Sequence, residues 1–294
     1  MKDWPFQRVT IVGPGLLGGS LGLALRGAGF AGRIVGVARR AETLVTARQR
    51  GCIDEGAADL EAAAAEGGLI VLATPVGTIP AHLETLGRLD LGNAVVTDLG
   101  STKSQIVDAA ERLLRRPGRF VGSHPMAGSE RQGPASADGG LFHGKPCIVT
   151  PTDRTDPAAL EVVESMWSRI GMNVLRMSAD EHDRQTAAIS HLPHLASVLL
   201  VLTAMEQGGW RIASTGFRDT TRLAGSNPPM RADIIRSNAH HLLEAIDTFA
   251  GNLAEVRRLI QAGDGAGLIA LLERAQGARE HWLAERKPVR SDET

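Results

Sequence analysis

Val9-Thr10-Ile11-Val12-Gly13-Pro14-Gly15-Leu16-Leu17-Gly18 reads as a strand running into a G-x-G-x-x-G turn, and an apolar helical pattern follows through Leu21, Leu23, Ala24 and Leu25. In a strand–turn–helix of this kind Gly13 allows the tight turn. Gly15 lets backbone amides approach a pyrophosphate, and Gly18 lets the helix pack close to the strand. The helix N-terminus then faces the phosphates with its partial positive charge. The stretch predicts a dinucleotide-binding Rossmann unit. Its cofactor contacts are Gly13, Pro14, Gly15, Leu16, Leu17 and Gly18, and the bland alternative is a glycine-rich turn that binds nothing.

The next strand, Arg33–Val37, ends in Ala38-Arg39-Arg40. NAD enzymes of this fold place an acid there to bind the adenine ribose hydroxyls, and this chain has none. Small Ala38 leaves room for a 2′-phosphate, and Arg39, helped by Arg40, offers it a planar fork of donors. NADP is therefore the expected cofactor, with NAD as the alternative. A solvated arginine pair is the competing explanation.

Working outward, strand-like runs alternate with helical stretches up to Ser178: Arg8–Val12, Arg33–Val37, Leu69–Ala73, Ala94–Thr97, Phe120–Gly122, Cys147–Thr150 and Asn173–Met177. Helical patterns include Ala41–Arg50, Ser101–Arg115 and Pro157–Ile170. Such alternation implies right-handed crossovers and a doubly wound, mostly parallel α/β sheet. Beyond Ser178 the pattern is all helical: Ala179–Gln207, Pro229 to about Leu259, and Gly267 to about Leu283. The expected domains are residues 1–178 and 179–294. From Leu195 to Met205 the first of these helices is apolar nearly all round, which demands burial on every side. A small helical domain cannot supply that, so a subunit interface is expected there, with Trp210 as a further member. The tail 286–294 looks disordered.

Composition narrows the class. The 294 residues carry 43% hydrophobic and 22% charged residues and a formal net charge of −1. Neither half is strongly basic, so no nucleic-acid face is expected. Two cysteines make no disulfide framework and show no metal spacing, which fits a reducing cytoplasm. The first residues lack the apolar core of a signal peptide. The run Leu195–Met205 is about half a bilayer span, so no membrane is expected.

His124 follows the strand Phe120–Gly122, where strand ends line the ligand crevice of an open sheet. A histidine can exchange a proton near neutral pH there. Paired with a hydride acceptor, it suggests a dehydrogenase. Ser190-His191-Leu192-Pro193-His194 puts two histidines three apart on one helix face, and Asp219-Thr220-Thr221-Arg222 precedes a Gly-Ser-Asn-Pro-Pro turn. Arg222 offers a fork suited to a carboxylate. The alternatives are backbone-satisfied core histidines, a metal set with His182 that lacks a fourth ligand, and a surface ion pair of Arg222 with Asp219. No metal is assigned.

Taken together, Gly13–Gly18, Asp98-Leu99-Gly100-Ser101-Thr102-Lys103, Gly122–Gly128, Ser190–His194 and Gly216–Arg222 resemble, in order, the prephenate/arogenate dehydrogenase family of tyrosine biosynthesis. The resemblance implies a Rossmann domain, a helical dimerisation domain and a homodimer. It also implies oxidative decarboxylation: a ring hydroxyl is oxidised, a ring carboxylate leaves as carbon dioxide, and the ring becomes aromatic. On that basis His124 accepts the hydroxyl proton and Ser101 hydrogen-bonds the same hydroxyl. Arg222, His191, His194 and Ser129 contact substrate, and Glu130 and Asp219 form an ionic gate with the arginine. Thr74 and Pro75 lie against the nicotinamide or its ribose.

Arg231 stands where many prephenate-preferring members have tryptophan. The His-Pro-Met-Ala-Gly and Gly-Phe-Arg-Asp-Thr stretches look like the NADP-dependent cyanobacterial type of arogenate dehydrogenase. No mutase or regulatory domain is present, so a monofunctional enzyme is expected. A β-hydroxyacid-type dehydrogenase would need a lysine on the long helix, and Ala179–Gln207 has none. A non-catalytic NADP-binding sensor would have no need to keep Ser101, His124 and Arg222 together.

Overall fold

The computed structural model describes residues 4–129 and 131–285. Glu130, the tail 286–294 and the side chain of Trp210 lie outside the described residues. In chain order the elements are β1 (Arg8–Val12), α1 (Leu16–Gly27), β2 (Arg33–Val37), α2 (Ala41–Gln49), β3 (Glu55–Ala57), α3 (Leu60–Ala65) and β4 (Leu69–Leu72). Then come α4 (Ile79–Arg88), β5 (Val95–Asp98), α5 (Ser104–Leu113), β6 (Phe120–Pro125), β7 (Pro146–Thr150), α6 (Pro157–Arg169) and β8 (Asn173–Arg176). The helices α7 (Ala179–Thr186), α8 (Leu192–Glu206), α9 (Thr215–Thr221), α10 (Pro228–Ser237), α11 (Ala239–Ala262) and α12 (Gly265–Glu285) complete the chain.

Among the described residues the strands form one sheet in the order β3-β2-β1-β4-β5-β6-β7-β8. All neighbours run parallel except the β6–β7 pair. Strands buried on both faces need apolar residues at nearly every position. Leu69-Ile70-Val71-Leu72 meets that requirement and is fully buried. One core layer packs around Ile11, Leu25, Val71, Phe142 and Trp167, the other around Val12, Leu72, Ile79, Leu83 and Val96. The chain reverses its order of strand addition between β2-β1 and β4-β5, which opens the ligand crevice at the carboxyl ends of β1 and β4.

Several boundaries differ from the sequence-based expectation. Edge strand β3, Glu55-Gly56-Ala57, carries no β-branched or aromatic residue and was not legible. Strand β6 runs on through His124 to Pro125 because antiparallel pairing with β7 carries it three residues further, with His124 opposite Ile148. Helix α5 starts at Ser104 rather than Ser101, because its first amides are satisfied by Asp183, eighty residues away. The expected helix Ala179–Gln207 is interrupted by a π turn, Ala187–His191. Leu192 N–H bonds the Ala187 carbonyl, and Pro193 has no N–H to continue the α-helical ladder. Likewise Pro229–Leu259 is two helices, broken at Asn238, whose side chain bonds the Asp183 carbonyl.

Two compact units result, one reaching Leu242 and the other starting at Leu243. Within the first unit, α7 and α10 are tied to the loops at the carboxyl edge of the sheet through Asp183, Asp233 and Asn238. On α8, Leu199, Leu200, Leu202 and Met205 remain exposed. The continuous span Ala179–Glu206 is long and apolar enough to cross a membrane, well beyond the run Leu195–Met205 read from the sequence. Its first half, however, is held by buried side chains: His182 bonds His124 on β6, Asp183 the start of α5, and His191 bonds Asn238.

Candidate active site

The crevice floor is the glycine turn after β1. Gly13 sits at φ +88°, and a Cβ there would come within 2.8 Å of the Thr74 methyl, so the turn after β1 and the end of β4 are in contact. A Cβ on Gly15 would meet nothing within 4 Å, so the space above that residue is open. Helix α1 starts there with no side-chain cap and no acid in its first turn. Its N-terminal amides thus await an anion, and the residues present fit a dinucleotide pyrophosphate. Thr74 bonds Thr78 through their hydroxyls at 2.9 Å, and Pro75 begins the short turn Val76–Thr78.

At the far end of the crevice Ala38 bonds back to Ala57, while Arg39 and Arg40 are exposed. Glu42 stands in the first turn of α2, while Asp54 pairs with Arg26, Glu55 with Arg8 and Arg33, and Asp59 caps α3. Burial lowers the pKa of His82, and the Arg39 charge lowers it further, so Arg39 leans toward α4.

The catalytic end is organised by a buried ion pair. Lys103 and Asp98 are both fully buried and joined Nζ to Oδ2. Lys103 also donates to the Ser123 carbonyl at 2.9 Å, while Asp98 accepts from Gly100 N at 2.8 Å and Ser123 N at 3.2 Å. Ser123 Oγ donates to the Asp98 carbonyl at 2.6 Å and accepts from the Trp167 indole at 3.1 Å. Burial pushes the Asp98 carboxyl up, while Lys103 and the two backbone amides pull it back down. These bonds tie the end of β5 to β6. They therefore fix the loop that bears Ser101, three residues past β5, relative to His124.

His124 Nδ1 lies 2.8 Å from His182 Nε2, and His182 Nδ1 lies 2.8 Å from Asp183 Oδ1. Asp183 accepts from Lys103 N at 2.7 Å and Ser104 N at 2.8 Å. His124 Nε2 makes no hydrogen bond among the described residues. Burial lowers the His124 pKa well below the ordinary imidazole range, and His182, Lys103 and His191 add to the effect. The ring is neutral at physiological pH, as a base must be.

His191 is buried, accepts from Asn238 Nδ2 at 3.1 Å, and has its pKa lowered by burial to about 4. His194 Nδ1 donates to the Ser190 carbonyl at 2.8 Å, and its buried Nε2 has no hydrogen-bond partner among the described residues. Burial lowers the His194 pKa, with Arg231 and Arg222 contributing, so both guanidinium groups stand near it. Arg231 is half-buried with a partnerless Nε. Helix α10 holds this side of the site: Asp233 accepts from Gly77 N at 2.8 Å, and Thr102 donates to Ser237 at 3.0 Å.

The structure thus brings His191 toward His124, and Arg222 and Arg231 toward His194, with Ser101 on the loop after β5. It does not do so for all of the expected contacts. Asp219 pairs with its neighbour Arg218 at 3.1 Å rather than with Arg222, adjacency on short α9 making that the easier contact. Ser129 accepts from Arg131 N in a local turn and is exposed. The sequence reading missed Asp183, Asp98 and Lys103 as site organisers and weighed His182 only as a metal ligand. Each works through a contact distant in sequence or through full burial, and only the Asp98–Lys103 motif hinted at them.

A glycine-turn nucleotide crevice and a neutral histidine on the same carboxyl edge of the sheet define a nicotinamide-dependent dehydrogenase of the Rossmann class. Two family models match: prephenate dehydrogenase, nucleotide-binding domain, over residues 21–176, and prephenate dehydrogenase, dimerization domain, over residues 178–274. A prephenate dehydrogenase of Bacillus subtilis is 33% identical over 95% of this chain and 76% of its own length. The crystal structure of Aquifex aeolicus prephenate dehydrogenase with hydroxyphenyl propionate and NAD+ superposes with a TM-score of 0.89 at 34% identity, covering 95% of this chain and 99% of that one. Synechocystis arogenate dehydrogenase gives a TM-score of 0.79 at 32% identity, covering 94% and 99%. The chain belongs to the prephenate dehydrogenase family and is an NAD(P)-dependent dehydrogenase.

Proposed function

We propose that the chain oxidises and decarboxylates prephenate, arogenate or both, giving 4-hydroxyphenylpyruvate or tyrosine. The observation that carries this reading is His124 near the carboxyl end of β6, on the same edge of the sheet as the glycine turn after β1, with Nδ1 engaged and Nε2 without a hydrogen bond among the described residues. Bound NAD(P)+ supplies the hydride acceptor. His124 Nε2 takes the ring-hydroxyl proton, and the Ser101 hydroxyl holds that oxygen in line. Arg222 binds a substrate carboxylate, with His191 and His194 beside it. Aromatisation on loss of carbon dioxide drives the reaction, so the protein's task is to place hydride and proton. The test is turnover of prephenate and arogenate, each with NAD and NADP. No turnover of either would overturn the reading.

Charge-assisted recognition of a carboxylate predicts the Arg222→Ala result. The lost contact costs on the order of 2–4 kcal/mol of transition-state binding, chiefly as a higher KM. A variant that binds substrate normally but melts early would make Arg222 a structural residue.

NADP preference is part of the proposal, supported by the absent acid after β2 and by exposed Arg39 and Arg40. Arg39→Ala should raise KM for NADP about tenfold and barely alter that for NAD. Wild-type protein favouring NAD at equal concentrations would sink the assignment. The domain boundary near residue 178, a homodimer and a cytoplasmic location belong to the same reading. Exposed Leu199, Leu200, Leu202 and Met205 supply an apolar face for a second copy, within the segment matched by the dimerization model.

A further inference from the structure

The two carboxylate oxygens of Asp183 already accept the Lys103 and Ser104 amides, at 2.7 and 2.8 Å. A carboxylate so placed can only accept further hydrogens. At 2.8 Å from Oδ1, His182 Nδ1 must therefore carry its ring hydrogen, which leaves His182 Nε2 as a lone pair. His124 Nδ1, 2.8 Å from that lone pair, must in turn be the donor. The outcome is a directed chain, His124 Nδ1–H to His182, then His182 Nδ1–H to Asp183.

We propose that His182 and Asp183 are positioning residues that hold His124 in the Nδ1–H tautomer, leaving Nε2 as its only lone pair to receive the substrate proton. This rests on the reading of His124 as the base. In the reaction the substrate O–H bond breaks and an N–H bond forms on Nε2. The carbinol C–H pair leaves as hydride to the oxidised nicotinamide. The ring carboxylate departs as carbon dioxide, the electron pair of the broken C–C bond closes the aromatic ring, and the phenolate oxygen takes the proton back from Nε2. His124 becomes an imidazolium whose Nδ1–H still points at the His182 lone pair, and that bond strengthens as the charge appears. Other titratable groups face His124 as well. Lys103, at the start of α5, His191, in the π turn, and any charge on His182 oppose its protonation. A His182 held neutral as an acceptor by Asp183 adds no such charge and gives Nδ1–H a defined partner. The same logic orients the histidine of carboxylate–histidine pairs, where the carboxylate sets the tautomer and stabilises the imidazolium.

Three measurements test it. In the wild-type protein, nitrogen-15 NMR should show neutral His124 protonated at Nδ1; a spectrum with the hydrogen on Nε2 overturns the proposal. His182→Phe should lower kcat about tenfold or more, with substrate KM changed less than about twofold. His182→Gln, whose amide oxygen can accept from Nδ1–H, should recover most of that loss. Equal losses in both variants, or full activity in His182→Phe, would make His182 a packing residue and overturn the idea. Should the protein turn over neither substrate, the functional reading fails, while the NMR result still decides the tautomer.

Discussion

His124→Asn lowers kcat about a hundredfold or more and leaves KM for substrate nearly unchanged, because removal of a general base acts on the transition state and not on ground-state binding. Asn is close in size and can still hydrogen-bond His182, so the fold should survive. The pH profile of the wild type follows from the same assignment. Only the neutral ring accepts a proton, so kcat falls as pH drops through the His124 pKa. Burial, His182, Lys103 and His191 all move that pKa down, so the acid limb lies below the ordinary imidazole value of about 6.5 and activity is level through neutrality. Near-normal turnover in His124→Asn would remove the residue from the mechanism.

Lys103→Met is expected to be the most destabilising single substitution at the site. Lys103 and Asp98 are both fully buried, and stripping one charge leaves the other uncompensated. Breaking a buried pair in this way costs about 3–5 kcal/mol. In a unit of this size that lowers Tm by roughly 10 °C, measurable by calorimetry. The damage should also reach catalysis, since Asp98 and Lys103 join the loop of Ser101 to the strand of His124. A second change, Asp98→Leu, removes the stranded carboxylate and should restore part of the stability without restoring turnover. A Lys103→Met protein with wild-type Tm would show that the pair contributes nothing to the fold.

The Rossmann half was legible because its signals are local. Gly13–Gly18 lies between a strand and a helix, and Leu69–Leu72 is apolar at every position, as a strand buried on both faces requires. The boundaries that failed are those set by distant partners. Nothing near Ser101 says that α5 waits until Ser104, because the acceptor for its first amides is Asp183. The π turn at Ala187–His191 follows from Pro193, but choosing it over a kink or a break depends on what His191 and His182 must reach. The same holds for the site. His124 and Arg222 were visible through residue type and motif, whereas His182 and Asp183 acquire meaning only when α7 is laid against β6 and α5. Of the ionic gate expected from Glu130 and Asp219, Asp219 pairs with its neighbour Arg218, and Glu130 lies outside the described residues.

The most direct test is the stoichiometry of a single purified reaction, following reduced nicotinamide and released carbon dioxide together with prephenate or arogenate as substrate. The account predicts one carbon dioxide for each reduced cofactor, with the faster rate in NADP. Reduction without release of carbon dioxide, or no reduction with either substrate, would contradict it.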